Sequence, residues 1–261
     1  MPGPPWLILP TFNEAENIAT VVAAARRVLA AAAPDGFRIL VVDDGSPDGT
    51  GAIADGLAAE HDDVEVLHRT VREGLGPAYV AGFGRALGAG AGFVFEMDSD
   101  LSHDPADLAR LLAAVRDDGA DVALGSRYVP GGGVSDWGHI REAISRSGSW
   151  YSRRVLGLDL RDLTGGFKCF RAEVLREIDL PSVRSRGYAF QVELTYRAIV
   201  RGYRVVEVPI VFRDRALGTS KMSWHITLEA ARLVPQLRRG AEHLADGPAR
   251  TQGPGSSRRP Q

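Results

Sequence analysis

Short, continuous apolar runs alternate with alanine- and leucine-rich helical patterns through the first half of this chain, and that succession constrains the fold more than anything else. Residues 6–12 (WLILPTF), 37–43 (FRILVVD) and 93–97 (FVFEM) are too short for helices and too evenly apolar for a sheet with one wet face. Runs of this kind fit central parallel strands buried on both sides. Helical patterns at 17–33, 50–60, 75–87 and 105–118 fall between them, with an alternation starting near Glu65 (VEVLHR) and a strand at 120–127 (ADVALGSR). The repetition predicts a parallel sheet covered by helices on both faces. Pro105 suits a helix start, where its missing N–H costs nothing.

The period breaks after Arg127. A Gly-rich loop at 130–133 leads to a helix at about 140–156, a short strand at 167–170, a helix at 190–200 and a β-branched strand at 204–212. A last helical pattern covers 222–239, which Pro235 should kink or end. From Gly240 onward, and most clearly from Gly247, the chain reads as a low-complexity tail. No internal repeat is visible.

A chain of 261 residues can bury a full core, so one large domain is expected rather than two. No window reaches the length of a membrane span, and the N-terminus lacks the basic region and processing site of a signal peptide. The single cysteine, Cys169, excludes an intrachain disulfide framework and a multi-cysteine zinc site, and fits a reducing cytosol.

The net charge of -2 conceals an asymmetry. Residues 1–126 carry 8 Arg/Lys against 20 Asp/Glu, whereas residues 127–239 carry 20 against 11. This reversal suits a protein that holds a metal with its first half and anionic groups with its second. The basic half shows no nucleic-acid recognition module and no alternation of aromatic with basic residues. An anionic lipid surface is at least as good a partner.

Chemistry is expected where strands end, since an open α/β sheet presents its ligand groups there. The run at 93–97 stops at Asp98 and Asp100, separated only by Ser99. Two acids at that spacing can share a divalent cation whose other ligands are phosphate oxygens. Ser102 and Asp104 precede the next helix, so one of them is expected to cap it. Asp43 ends the second run, and an acid there can accept hydrogen bonds from a ribose or a base. Local turn-making would explain Asp44, Ser46 and Asp48. The first strand leads into Pro10-Thr11-Phe12-Asn13-Glu14 and not into Gly-x-Gly-x-x-Gly, so the common dinucleotide fingerprint is absent. Later, Arg127 follows a strand end, and Arg213, Asp214, Arg215 and Lys221 cluster after the last strand. Guanidinium forks and an ammonium suit phosphate oxygens. The six histidines show no ligand spacing, and His103 reads as a loop hydrogen-bonder before a base.

Taken together, PTFNEAENI (10–18), VVDDGSPDGT (41–50), GLGPAYVAGF (74–83), MDSDLSHDP (97–105), GSRYVPGG (125–132), DLTGGFKCF (162–170), GYAFQVEL (187–194) and EVPIVFRDRALGTSKM (207–222) resemble the polyprenol-phosphate (dolichol-phosphate) mannosyltransferases of glycosyltransferase family 2. The VDDGS and aspartate-pair blocks resemble family 2 at large; the DLTGGFK, GYAFQ and DR…SK blocks are more selective. The resemblance implies an α/β GT-A fold with a mostly parallel nucleotide-binding sheet flanked by helices. It implies one domain at 1–239, with a nucleotide and metal half to about 126 and an acceptor half beyond, and a disordered tail at 240–261.

By position, the resemblance puts the nucleotide site on Pro10, Phe12, Glu14, Val41 and Asp43, with Phe12 where the family usually has tyrosine. It puts Mg²⁺ or Mn²⁺ on Asp98 and Asp100, with Ser99 between them. Ser102 stands where some relatives place a coordinating glutamine, and its hydroxyl is a poorer ligand. Arg127, Arg215 and Lys221 match residues associated with the sugar nucleotide and lipid phosphate; Arg141 and Ser145 are weaker candidates for the acceptor phosphate.

The implied partners are GDP-mannose, a polyprenyl phosphate, an anionic membrane surface and a separate integral membrane protein. The implied location is the cytoplasmic face of the membrane, held peripherally. Some relatives carry a C-terminal transmembrane region where this chain has a polar tail. Trp224, Ile226, Leu228, Leu233 and Leu237 are available for an interfacial or partner-binding helix, or equally for packing into the core. A family 2 transferase using UDP-glucose or another acceptor, and a non-catalytic sugar-nucleotide-binding protein, are the rival readings. Nothing in the residues physically distinguishes guanine from uracil.

Overall fold

The computed structural model describes residues 2–135, 139–183, 185, 187–213 and 233–240. Its strands are β1 (Pro5–Thr11), β2 (Arg38–Asp43), β3 (Val64–His68), β4 (Phe93–Glu96), β5 (Val122–Ser126), β6 (Gly133–Ser135), β7 (Lys168–Arg171), β8 (Val205–Pro209) and β9 (Val211–Arg213). Its helices are α1 (Ile18–Ala32), α2 (Thr50–Glu60), α3 (Leu75–Gly88), α4 (Asp107–Arg116), α5 (His139–Leu156), α6 (Ala172–Glu177) and α7 (Gly187–Val200), with a 3₁₀ turn at Leu180–Ser182.

Seven strands form one sheet in the order β3-β2-β1-β4-β7-β5-β8, and β6 and β9 form a small parallel pair of their own. The α/β expectation holds, with helices on both faces. β1, β2, β3 and β4 pair in parallel, as do β5 and β8, whereas β7 runs antiparallel between β4 and β5. Because β4 and β5 both oppose β7, they point the same way. The carboxyl ends of six strands and the amino end of β7 therefore share one rim.

Alternation along each strand sends side chains to opposite faces. Leu7 and Leu9 of β1 join Ile39 and Val41 of β2 against Ile18, Val21, Val22, Ala25 and Leu29 of α1. Trp6 and Ile8 turn the other way, toward Tyr79 and Phe83 of α3. Each large side chain buried in this way contributes about 1.5–3 kcal/mol. Gly82 lets α3 lie directly on β1: a Cβ there would sit 2.4 Å from Ile8 Cγ2. Tyr79 stacks on Phe190 at 5.8 Å, joining α3 to α7.

Several boundaries differ from expectation. β4 stops at Glu96, so Met97 and the acids lie in the following loop. The strand expected at 204–212 breaks at Ile210, whose amide bonds to the Ser126 carbonyl. β8 lies on one side of that break, and on the other β9 swings out to pair with β6. Residues 233–239 are helical with Pro235 in the first described turn, and the rest of the pattern expected at 222–239 lies outside the described residues. Leu237 is buried and Leu233 half-buried against a cluster of Leu156, Leu163, Val192, Tyr196 and Val234. Those two leucines therefore pack inside the molecule instead of facing a membrane; Trp224, Ile226 and Leu228 lie outside the described residues. No helix among the described residues is long and apolar enough to cross a membrane.

Candidate active site

The rim begins with two loops laced together. The Asn13 amide donates to Ser46 Oγ at 3.1 Å, the Glu14 amide to Thr50 Oγ1 at 2.9 Å and the Ala15 amide to Asp48 Oδ2 at 3.1 Å. Asp48 also accepts the Thr50 amide and hydroxyl. Slight burial works against ionising its carboxyl, but the bonds from Thr50 and Ala15 prevail and hold it below its usual pKa. Phe12 is half-buried, and the Arg72 guanidinium lies over its ring at 3.7 Å. Glu14 accepts the Asn17 side-chain amide at 2.9 Å.

Asp43 is buried at the end of β2, within reach of the Ser46 amide at 3.3 Å. Asp44 pairs with Arg69, which also reaches Glu73, so its role goes beyond turn-making. Val41 stands on the core face of β2. Its side chain is completely buried in the core two residues below Asp43, and it supports the rim without lining it.

The acid loop sits over β1. Ser99 Oγ donates to the Pro10 carbonyl at 3.0 Å, a bond that welds the loop after β4 to the end of β1. Asp100 is buried, and its Oδ1 accepts the Ser102 amide at 3.1 Å. Between them Leu101 holds φ of 63°, a left-handed backbone that a branched side chain rarely adopts. That turn brings Ser102 back beside Asp100. The Asp98 side chain keeps 31% of its surface exposed. Asp104, not Ser102, accepts the Ala106 amide in the turn before α4.

His103 lies beneath. It is buried against Phe167 and Phe212, and its Nδ1 accepts the Asp98 amide at 3.3 Å. Burial, opposed by Asp100 and reinforced by Arg127, lowers its pKa to about 4. The ring is neutral at pH 7 with its acceptor nitrogen engaged, which is the loop role expected of it.

The donor set fits a hard divalent cation. Asp98 and Asp100 stand two residues apart in one loop, and the buried Ser102 hydroxyl has no hydrogen-bond partner among the described residues. Among the described residues, no group of three or more His, Cys, Asp or Glu is placed to hold a metal ion. Two carboxylates completed by substrate oxygens is how Mg²⁺ and Mn²⁺ sites at diphosphates are built.

The far side of the rim departs from expectation. Arg127 is buried and bound at both Nε and Nη2 to Asp162, at 2.6 and 2.7 Å, with Thr164 accepting at 2.8 Å. Burial works to raise the Asp162 pKa, but the Arg127 charge and hydrogen bonds outweigh it and the net shift is downward. The Nε and Nη2 edge of the guanidinium thus braces the 162–166 loop. Two glycines carry that loop across. A Cβ on Gly165 would lie 2.9 Å from the Gly125 carbonyl, and one on Gly166 would lie 3.7 Å from Asp98 Oδ2. Glu207 of β8 accepts the amides of Arg161 and Asp162 and the Ser126 hydroxyl.

Below the acid loop, Lys168 and Glu96 form a fully buried ion pair at 2.7 Å, and Gln191 of α7 also accepts from Lys168. Asp162, Glu207, Glu96, Lys168 and Gln191 were not singled out from sequence. The available signal was a charge inside an apolar strand, Glu96 in FVFEM and Lys168 in FKCF.

Ser145 accepts the Tyr128 hydroxyl at 2.7 Å, tying α5 to the residue after Arg127. Arg141 lies in the first turn of α5. The Arg213 amide donates to the Ser102 carbonyl at 3.0 Å, and its guanidinium reaches Asp104. β9 therefore ends beside the acid loop. Asp214, Arg215 and Lys221 lie outside the described residues.

A family model described as glycosyl transferase family 2 matches residues 6–179. The polyprenol monophosphomannose synthase of Mycolicibacterium smegmatis is 53% identical over 83% of this chain and 80% of its own length. The chain belongs to glycosyl transferase family 2. The undecaprenyl-phosphate mannosyltransferase of Micrococcus luteus is 50% identical over 85% of this chain and 89% of that protein. Among solved structures, glucosyl-3-phosphoglycerate synthase from Mycobacterium tuberculosis, in complex with Mn²⁺, UDP and glucosyl-3-phosphoglycerate, superposes with a TM-score of 0.62. It is 18% identical, over 92% of this chain and 78% of that one. A mannosyltransferase from Pyrobaculum calidifontis in complex with GDP-Man and Mn²⁺ gives 0.58 at 18% identity, over 95% of this chain and 66% of the other. At that identity the structures establish the fold, GT-A-like, and the sequence relatives establish a glycosyltransferase.

Proposed function

We propose that this transferase moves mannose from GDP-mannose to a polyprenyl monophosphate, releasing GDP and leaving a β-linked lipid-phosphate mannose. The observation that carries the reading is the intact Asp98–Asp100 pair, near a Ser102 hydroxyl with no partner among the described residues, in a chain half identical to two lipid-phosphate mannose enzymes. Asp98 and Asp100 would hold Mg²⁺ or Mn²⁺. When bound, the ion supplies stabilisation for charge developing on the leaving diphosphate.

Pro10, Phe12, Glu14 and Asp43 hold the nucleoside end of the donor. The acceptor phosphate is ionised near neutral pH and attacks the anomeric carbon without a strong protein base. His103, neutral and hydrogen-bonded through Nδ1, fills no such role. One C–O bond forms as the bond to GDP breaks, its electron pair leaving with the diphosphate, so the anomeric centre inverts. Arg215 and Lys221 offset the repulsion between donor and acceptor phosphates. Arg127 acts one step removed, through Asp162 and the loop beside Asp98. The lipid acceptor brings the enzyme to an anionic membrane surface on the cytoplasmic side, alone or with an integral membrane partner.

The test offers purified protein a short polyprenyl phosphate with GDP-mannose, UDP-glucose or UDP-N-acetylglucosamine, with and without Mn²⁺. Metal-dependent product from GDP-mannose alone is expected. Product from a UDP-sugar would overturn the donor, and turnover only with a non-lipid acceptor would overturn the lipid.

A further inference from the structure

The nucleoside-binding acid Asp43 is held in place by a group that the proposed reaction does not use. His68, the last residue of β3, reaches two carboxylates. Its Nε2 lies 2.9 Å from Asp55 Oδ1 of α2, and its Nδ1 lies 3.6 Å from Asp43 Oδ2 of β2. Gly51 closes the third side. A Cβ there would stand 2.9 Å from Asp43 Oδ2 and 3.2 Å from His68 Cε1, so the first turn of α2 presses directly on both. The Asp43 carboxylate thus has little room, wedged between the Ser46 amide, the ring and Gly51.

Among the described residues, no other charged group is directed at the ring. Glu65 of β3 pairs with Arg85, and Arg69 is bound to Asp44 and Glu73. Parity puts Glu65 on the opposite face of the strand from His68. The ring's side chain is half exposed, so it exchanges protons with solvent while its partner Asp43 is buried.

We infer that His68 is a positioning residue for donor binding, its imidazolium fixing the Asp43 carboxylate toward the nucleoside, so that donor affinity depends on the ring's charge. The inference rests on the assignment of Asp43 to the donor. Its pH sense follows from the partners: the hydrogen bond to Asp55, opposed by slight burial and helped by Asp43, raises the His68 pKa above 6.5. The cation is present below that raised value, and its hold on Asp43 is lost as pH climbs through it.

The experiment measures binding of GDP-mannose and UDP-glucose by calorimetry in Mn²⁺, without acceptor, from pH 5.5 to 8.5. These sugar diphosphates carry no phosphate proton that titrates in that range. Wild-type affinity is expected to fall by about threefold to fivefold toward high pH, the scale of one partly exposed ion pair. H68Q should show the weak value throughout, and H68R the tight value throughout. D55N should move the limb to lower pH, and G51A should weaken binding at every pH. Equal pH profiles for wild type and H68Q would overturn the inference, as would loss of binding in H68R equal to that in H68Q. Failure of wild type to bind either donor at any pH would instead overturn the assignment of Asp43.

Discussion

On the β1–β4 side of the rim, backbone register does most of the positioning. Pro10 pairs with Val42 and Thr11 with Asp43, and a single hydroxyl bond from Ser99 to Pro10 then sets the acid loop over β1. Around β7, buried ion pairs do that work instead: Arg127 with Asp162, and Lys168 with Glu96. The difference follows from chain direction. Parallel strands deliver their carboxyl ends to the rim in sequence order, but β7 arrives antiparallel. Its loop must be pinned by contacts 35 to 72 residues apart in the chain. Buried charges on that side therefore hold the loop by meeting each other.

The largest effect expected from breaking this contrast is at the acid pair. Asp100→Ala should lower transfer by about 10³-fold or more, the scale of lost electrostatic stabilisation, with an unchanged circular dichroism spectrum. Near-normal turnover at saturating metal would remove Asp100 from the metal site.

Next in size is the second-half brace. Arg127→Met leaves the Asp162 carboxylate buried without its partner and should cost about 3–5 kcal/mol in urea unfolding. Arg127→Met with Asp162→Leu should recover much of that stability while transfer stays impaired through the 162–166 loop. Full activity in the double variant would show that the loop needs no brace.

The same pair sharpens the comparison through pH. Asp162 titrates below its usual value in the folded state, so its stabilisation is complete above the unfolded carboxyl pKa of about 3.9. It is lost as pH falls through the lower folded value. Wild type should lose more stability than the double variant between pH 5 and pH 2, read from urea midpoints. Parallel losses would mean that the ion pair contributes nothing of its own.

The smallest effect expected is on the first side. Phe12→Ala removes the surface under Arg72 and should raise the donor KM by about threefold with kcat unchanged, the scale of an exposed cation–π contact. A fall in kcat without a change in KM would move Phe12 away from the nucleoside.

Most of the first half was legible in the sequence because its signals are local. Apolar runs bounded by breakers became β1, β2 and β4, and Asp43, Asp98 and Asp100 stand at or just beyond their ends as expected. β7 was visible as a strand, but nothing in FKCF encodes its direction. Ile210 is a single apolar residue in a β-branched run, so the break between β8 and β9 carries no pattern. Arg127 looked like a phosphate ligand because strand-end arginines often are; only the fold brings Asp162 to it from 35 residues away. Val41 matched by position, yet period-2 alternation already sends it to the core face with Leu9.

The most direct test follows labelled mannose from GDP-mannose to a short polyprenyl phosphate, with wild type and Asp100→Ala side by side, before and after EDTA and after Mn²⁺ is restored. The account predicts lipid-linked product from wild type only, lost in EDTA and regained with Mn²⁺. Equal product from the variant, or wild-type turnover that persists in EDTA, would contradict it.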